Sequence, residues 1–239
     1  MRTIGLIGGM SWESTAVYYR LLNEGVRGRL GGLHSADILL RSVDFETVVA
    51  LQKAGDWAGA GRMLAEIGSG LQTAGADCLM ICTNTMHLLA DQVQAATSVP
   101  LINIIDVTAR AVAAAGYRRP LVLATRYTME EDFYVGRMRE RHGLEPMVPD
   151  AAGRTIVHDV IFGELCQGRV EAGSRCAFVE LTEVAALEGA DCVIFGCTEV
   201  GLLLSPSDVS LPAFDSTILH AEAAINFALG EDRKATAAA

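Results

Sequence analysis

Short apolar runs alternate with longer amphipathic stretches along most of the chain. Four runs in the first half have the length and β-branched content of buried strands: TIGLIGG (3–9), DILLRSVDF (37–45), DCLMICTN (77–84) and PLINIID (100–106). The stretches between them predict three helices: 11–24 with Ser11 as N-cap, 57–74, and 107–115. This alternation predicts an α/β fold with a parallel sheet covered by helices on both faces.

The same pattern returns in the second half of the chain. PLVLAT (120–125) leads into a helix containing FYVGRMRE (133–140), as TIGLIGG leads into the first helix. GADC at 75–78 returns at 189–192, and PLINIID returns as SLPAFD (210–215), followed by the helix HAEAAINFAL (220–229). Because the matched pairs keep their order at an offset of about 115 residues, we predict an internal duplication.

The duplication predicts two pseudo-symmetric three-layer α/β lobes, each with its own parallel sheet. We predict one lobe from residues 1–106 with 214–239, and the other from residues 107–213. Ligands of parallel α/β sheets bind outside the carboxyl ends of the strands. The two GADC strands end at Thr83 and Cys197, so we expect these residues to face each other across an active-site cleft between the lobes.

Composition and charge narrow the possible partners. The 239 residues are 51% hydrophobic, which is enough for a sizeable core, and the net charge of −10 repels nucleic acid. No apolar run reaches bilayer length and no signal-peptide pattern precedes the first strand, so we expect a cytoplasmic protein that enters no membrane. Residues 230–239 lack apolar periodicity and are expected to fray.

The residues that common cofactors require are missing or wrongly spaced. Lys53 and Lys234 are the only lysines, and neither is placed as a pyridoxal-phosphate Schiff base requires. The GGMS turn matches no nucleotide-binding spacing, and we interpret it as a tight turn that brings Met10 and Ser11 to the cleft. The six cysteines lack paired C-x-x-C spacing, so we expect reduced, mostly buried thiols and no metal site.

Cys197 is the cysteine whose position suggests chemistry. It follows the second GADC strand and precedes a helix, where orphan backbone N–H groups favour the thiolate. Cys82 lies next to Thr83 on a strand and therefore points to the opposite face, so we assign it to packing, as we do the remaining cysteines. The sequence thus indicates one thiol that can act as a base.

Three motifs taken together resemble the cofactor-independent aspartate/glutamate racemase family: IGLIGGMSWEST at the start, CTNTMH at 82–87 and FGCTE at 195–199. The resemblance covers nearly the whole chain and is closest to the bacterial L-aspartate/glutamate-specific or broad-specificity amino-acid racemases. It implies a homodimeric isomerase that needs no pyridoxal phosphate and in which a cysteine from each lobe flanks the substrate Cα. One thiolate removes the α-proton, and the opposite thiol protonates the other face.

This chain departs from the family pattern at one of the two cysteines. Cys197 matches the second cysteine, whereas Thr83 stands where the first is expected. A threonine hydroxyl is a far weaker acid than a thiol, so we interpret Cys197 as the base and Thr83 as the opposing proton donor. We expect the enantiomer whose α-hydrogen faces Cys197, by resemblance the L form, to be the better substrate.

The resemblance also implies the substrate contacts. Those to the α-amino and α-carboxylate groups are Asn84, Thr85, Thr198 and Glu199, and the rest of the cleft is lined by Met10, Gln52 and Thr125. Acid-specific members carry a basic residue after the second strand of the first lobe, where this chain has Gln52 and Lys53 rather than arginine. This weakens strict aspartate specificity and leaves glutamate or uncharged amino acids open. The residue that holds a side-chain carboxylate is open among four candidates: Arg41, Arg126, Arg154 and His158.

Two other functions are compatible with a single catalytic cysteine. In a decarboxylase of malonate-like acids, loss of CO₂ creates the carbanion and one thiol then protonates it. A protein that only binds small acids in its cleft needs no chemistry at Cys197. Exchange of the substrate α-hydrogen distinguishes the racemase from both.

Overall fold

The computed structural model describes residues 1–231, and the chain folds into two compact units. The first holds residues 1–103 together with the chain from His220 onward, and the second holds residues 104–219. The lobe limits predicted from the sequence stay a prediction. Fraying was predicted for residues 230–239, of which 232–239 lie outside the described residues. Within the described part, the Glu231 N–H donates to the Asn226 carbonyl at 2.8 Å.

The first unit contains a parallel sheet with helices on both faces. Its strands are β1 (Ile4–Gly8), β2 (Ile38–Ser42) and β3 (Cys78–Ile81), in the order β2-β1-β3. Its helices are α1 (Trp12–Leu30), α2 (Phe45–Ala54), α3 (Trp57–Thr73) and α4 (Ala90–Ala95), with a 3-10 turn over Thr85–Leu89.

The second unit contains another parallel sheet. Its helices are α5 (Ile104–Ala114), α6 (Arg126–Glu130), α7 (Asp132–His142), α8 (Ala151–Gly163), α9 (Ala172–Leu187) and α10 (Val200–Leu203). Its strands are β4 (Pro120–Leu123), β5 (Cys192–Phe195) and β6 (Ala213–Asp215), in the order β4-β5-β6. The helix α11 (Ser216–Leu229) starts in this unit and belongs to the first unit from His220 onward. The predicted α/β fold with two parallel sheets is confirmed.

Local sequence signals explain where several helices begin. The Ser11 hydroxyl accepts a hydrogen bond from the Ser14 N–H at 3.3 Å, as the predicted N-cap of α1 requires. Asp56 and Asp150 cap α3 and α8 in the same way, each accepting an N–H at 2.8 Å. Asp44 caps α2, so the second predicted strand is wrong beyond Ser42, because the cap turns the chain into a helix.

The predicted fourth strand, 100–106, is wrong over most of its length. Only Leu101 forms a bridge, to Leu79, and α5 already begins at Ile104. Pro100 has no N–H to donate to a neighbouring strand, and the residues from Ile104 onward have the apolar spacing of a helix whose first turn carries Asp106. Helix α1 also continues past its predicted end at residue 24 to Leu30. It passes through Gly25, where the missing Cβ leaves room for Ile225 of α11 to pack.

Equivalent hydrogen bonds recur inside the two units and support the duplication. Asp77 Oδ2 accepts the Thr3 N–H at 2.7 Å, and Asp191 Oδ2 accepts the Arg118 N–H at 2.7 Å. Single bridges complete the match of the two sheets: Leu101 pairs beside β3 where the second sheet has β6, and Met147 pairs beside β4 where the first sheet has β2. The shared order of strands and bridges fits two copies of one ancestral α/β unit.

The cysteines divide by exposure. Cys78, Cys82 and Cys192 are buried, and burial raises the pKa of the Cys82 thiol, which confirms its assignment to packing. Cys176 is exposed, contrary to the general expectation of burial, because it lies on the outer side of α9. Among residues 1–231, no helix combines the length and the apolar character needed to cross a bilayer.

Candidate active site

Thr83 follows β3 in the first unit, at the carboxyl end of the sheet. The Cys82 N–H donates to the Ile7 carbonyl at 3.0 Å, which keeps this segment against β1. The half-buried Thr83 forms no side-chain hydrogen bond to any residue in the described range 1–231. Its hydroxyl proton is therefore available to a ligand.

A buried histidine holds the backbone of Thr83. His87 Nδ1 donates to the Thr83 carbonyl at 2.8 Å, and the His87 ring lies edge-on to that of His220 at 5.6 Å. His220 Nε2 donates to the Ile102 carbonyl at 2.7 Å, so its Nδ1 accepts the Tyr18 hydroxyl at 2.9 Å. Burial, and then His87, lower the pKa of His220 to about 3, which keeps its ring neutral.

Sequence reasoning missed this network. The one local signal is the spacing of His87 four residues after Thr83, which allows its ring to reach back to that carbonyl. The partners Tyr18 and Ile102 are distant in sequence and carry no such signal.

The other residues predicted in the first lobe gather around the same segment. Asn84 and Thr85 are buried directly after Thr83. Gln52 Nε2 donates to the Met86 sulfur at 3.1 Å, and Met10 belongs to the same core cluster as Met86. The structure therefore brings all of these residues together within the first unit.

The residues predicted in the second lobe lie at the carboxyl ends of β4 and β5. The Gly196 N–H donates to the Leu123 carbonyl at 2.9 Å, which places the two strand ends side by side. Thr125 is the N-cap residue of α6, and Thr198 accepts a hydrogen bond from the Thr217 hydroxyl at 3.3 Å. Thr217 is a further contact that sequence reasoning missed.

Cys197 and Glu199 form a pair in the second unit. Cys197 Sγ donates to Glu199 Oε2 at 2.8 Å, and Glu199 is only 5% exposed. Burial, and then the Glu199 carboxylate, raise the pKa of the Cys197 thiol well above its usual range. The resting side chain is a thiol beside a hydrogen-bond acceptor.

The expectation that this position favours the thiolate is therefore wrong. The Glu199 N–H does lower the thiol pKa, as orphan N–H groups were expected to do, but burial and the carboxylate outweigh it. The short helix α10 starts only at Val200, whose N–H donates to the Cys197 carbonyl at 3.1 Å rather than to the sulfur.

The four candidates for binding a side-chain carboxylate are divided between the two units. Arg41 is exposed on β2 in the first unit, whereas Arg126, Arg154 and His158 belong to the second. Within residues 1–231, no three His, Cys, Asp or Glu side chains are grouped so that they could hold a metal ion.

Each unit is an α/β fold with polar side chains at the carboxyl ends of its parallel strands: the Thr83 hydroxyl in the first unit, and the Cys197 thiol with its hydrogen-bond acceptor in the second. A thiol next to a hydrogen-bond acceptor is suited to proton transfer. The model of the Asp/Glu/hydantoin racemase family matches residues 7–224, and the chain belongs to this family. The resemblance inferred from the motifs is thus confirmed, and the protein is placed among the racemases, a class of isomerases.

Solved structures and a curated relative agree with this placement. A provisionally assigned Asp/Glu racemase from Yersinia pestis is 46% identical, with a TM-score of 0.91, over 96% of this chain and 100% of that one. An aspartate racemase homologue from Pyrococcus horikoshii OT3 is 33% identical, with a TM-score of 0.84, over 95% and 99%. The broad specificity amino-acid racemase RacX of Bacillus subtilis is 22% identical over 65% of this chain, a region that spans 66% of RacX.

Proposed function

We propose that this protein is a cofactor-independent racemase that inverts the Cα of aspartate, glutamate or related amino acids. The observation that carries the proposal is the 2.8 Å contact between the Cys197 thiol and Glu199 at the carboxyl end of β5. Membership of the racemase family and the racemase names of its relatives support the same reaction. A cytoplasmic location and a homodimer stay predictions.

In the proposed reaction, Cys197 is the base and Thr83 is the opposing proton donor. The Glu199 carboxylate takes the thiol proton, and the thiolate then removes the α-proton of the L substrate, which returns Cys197 to the thiol and leaves a carbanion at Cα. The Thr83 hydroxyl donates its proton to the other face of Cα as the carbanion forms. The cycle closes when Thr83 regains a proton from solvent and Glu199 releases one.

The remaining predicted residues bind the substrate. Asn84, Thr85 and Thr198 hold the α-amino and α-carboxylate groups, and Met10, Gln52 and Thr125 line the rest of the site. The resemblance assigned Glu199 to the substrate as well, but its bond to the Cys197 sulfur supports a role in accepting the thiol proton.

Exchange of the substrate α-hydrogen tests this function. Wild type is incubated in D₂O with L- and D-aspartate and with L- and D-glutamate, and NMR follows loss of the α-proton signal while chiral chromatography follows inversion. We expect exchange and inversion in wild type and neither in Cys197→Ser, whose thermal unfolding should match wild type.

Three outcomes contradict the proposal. If no amino acid exchanges its α-hydrogen, the protein is not a racemase for this panel. Release of CO₂ from a substituted malonate without such exchange identifies a decarboxylase. Binding of a small acid that is the same in wild type and Cys197→Ser, with turnover in neither, identifies a binding protein.

Thr83→Cys tests the role given to the threonine. A thiol donates and accepts protons more readily than a hydroxyl, so we expect faster inversion. Enantiomers have equal free energy, so kcat/KM must rise by the same factor for L and D substrate. If Thr83→Cys leaves the inversion rates unchanged, and also leaves the difference between the rates for L and D substrate unchanged, position 83 is not the opposing donor.

A further inference from the structure

We propose that Arg126 binds the side-chain carboxylate of the substrate, which makes acidic amino acids the preferred class. This proposal rests on the proposed racemase function. Arg126 follows Thr125 at the carboxyl end of β4, and β4 is the direct neighbour of the strand that ends before Cys197. Ligands of parallel sheets bind at this edge.

The backbone of Arg126 is fixed, whereas its guanidinium is not engaged. The Arg126 N–H donates to His158 Nδ1 at 3.2 Å, where α6 begins. The residue is half-buried, yet no carboxylate among residues 1–231 forms an ion pair with it. A half-buried guanidinium without an acidic partner keeps its five donors for a ligand.

Two other arginines of this unit, Arg154 and Arg137, are engaged by carboxylates. Arg154 Nε donates to Glu130 Oε1 at 2.8 Å and its Nη1 donates to the Pro149 carbonyl at 2.8 Å. Arg137 makes two bonds to Asp106, at 2.7 and 2.5 Å. Unlike both, Arg126 has no ion pair with a carboxylate within residues 1–231.

The two remaining candidates fit the role less well. His158 uses its Nδ1 to accept the Arg126 N–H, and burial, then the Arg126 charge, lower its pKa, so it supplies no positive charge at neutral pH. Arg41 lies on the edge strand β2 of the first unit, in the wall of a cavity that it shares with Glu66 of α3. Arg41 is also exposed, so water screens its charge and competes for its donors.

The chemistry of the ligand follows from the guanidinium. Its planar fork matches a carboxylate with two parallel hydrogen bonds, whereas a carboxamide offers one acceptor oxygen and no charge. The rings of Tyr127 and Phe162 lie 6.2 and 4.9 Å from that of His158, which braces the start of α6. A braced arginine at the strand edge favours glutamate or aspartate over glutamine or asparagine.

Paired substrates of nearly the same shape test the proposal. Exchange of the α-hydrogen in D₂O is measured for L-glutamate and L-glutamine with wild type, Arg126→Gln, Arg126→Lys and the control Arg154→Gln. In Arg126→Gln we expect kcat/KM for glutamate to fall about 10- to 100-fold, the loss expected for a charged hydrogen-bonded pair, with little change for glutamine. Arg126→Lys should recover part of the preference, and Arg154→Gln should keep all of it.

The proposal is overturned if Arg126→Gln loses activity on glutamate and glutamine equally, or changes neither, while its unfolding temperature matches wild type. If wild type exchanges no amino acid, the proposed function fails, and calorimetry with glutarate then decides the role of Arg126. Weaker binding of glutarate by Arg126→Gln than by wild type supports the carboxylate site. Equal binding, or none by wild type, refutes it.

Discussion

The stability of the first unit in acid should depend on His220. In the folded protein, burial and then His87 lower the pKa of this imidazole from 6.5 to about 3. Below pH 6.5 the unfolded chain therefore binds a proton that the folded chain does not. Above pH 6.5 this histidine does not lower the free energy of unfolding. As the pH falls from 6.5 towards 3, the free energy of unfolding falls progressively, because only the unfolded chain takes up the proton.

The size of the effect follows from the pKa difference. At pH 5, which is one and a half pH units below 6.5, the loss is about 2 kcal/mol at about 1.4 kcal/mol per unit. His220→Gln removes the titrating ring but keeps a donor for Ile102 and an acceptor for Tyr18. Its free energy of unfolding should fall less between pH 7 and pH 5 than that of wild type, by about this amount.

Urea unfolding at the two pH values measures this difference. His34→Gln is the matched control, because His34 is an exposed histidine of the same unit and should keep the wild-type loss. Equal losses in wild type and His220→Gln would refute the reasoning, as would a reduced loss in His34→Gln. Either result would mean that His220 is not the group whose protonation opposes folding.

Two further substitutions probe charged groups of the second unit. Burial raises the pKa of Asp106, but hydrogen bonds from Arg137 and His142 outweigh this and lower it to about 2. Asp106→Asn should therefore lower the free energy of unfolding, measured with urea at pH 7, by about 2 kcal/mol. This difference from wild type should disappear as the pH falls from 4 to 2. Glu199→Gln removes a charge that, after burial, raises the pKa of Cys197, so alkylation of the Cys197 peptide by iodoacetamide, followed by mass spectrometry, should begin at lower pH. An unshifted profile would mean that Glu199 does not control the thiol.

The sequence predicts the elements whose burial pattern is regular. Strands such as β1 and β3 are covered on both faces, so their apolar runs are unmistakable. No element is predicted between 141 and 187, where α8 and α9 lie, because large apolar side chains on their outer faces obscure the helical period. Ile156 of α8 is 42% exposed and Leu187 of α9 is 90% exposed.

The positions of the candidate residues were predictable, but their chemical states were not. A strand followed by a helix places Thr83 and Cys197 at strand ends from the sequence pattern alone. The protonation of Cys197 depends on how deeply the sulfur is buried and on where the Glu199 carboxylate turns, and neither follows from spacing. The same holds for Arg126, a half-buried residue that forms no ion pair within residues 1–231, whereas Arg137 and Arg154 each do.

The two proposed proton-transfer groups are unequal in a way that bears on the direction of turnover. Cys197 has a neighbouring carboxylate that can take its proton, whereas the Thr83 hydroxyl bonds to no side chain within residues 1–231 and has no such acceptor. Removal of an α-proton by Thr83 would require an alkoxide, and no side chain within residues 1–231 donates a hydrogen bond to its oxygen. Because the equilibrium constant between enantiomers is one, this inequality cannot alter the ratio of the two kcat/KM values. It must instead appear in kcat and KM separately, so the D substrate should bind to a resting enzyme that turns it over slowly.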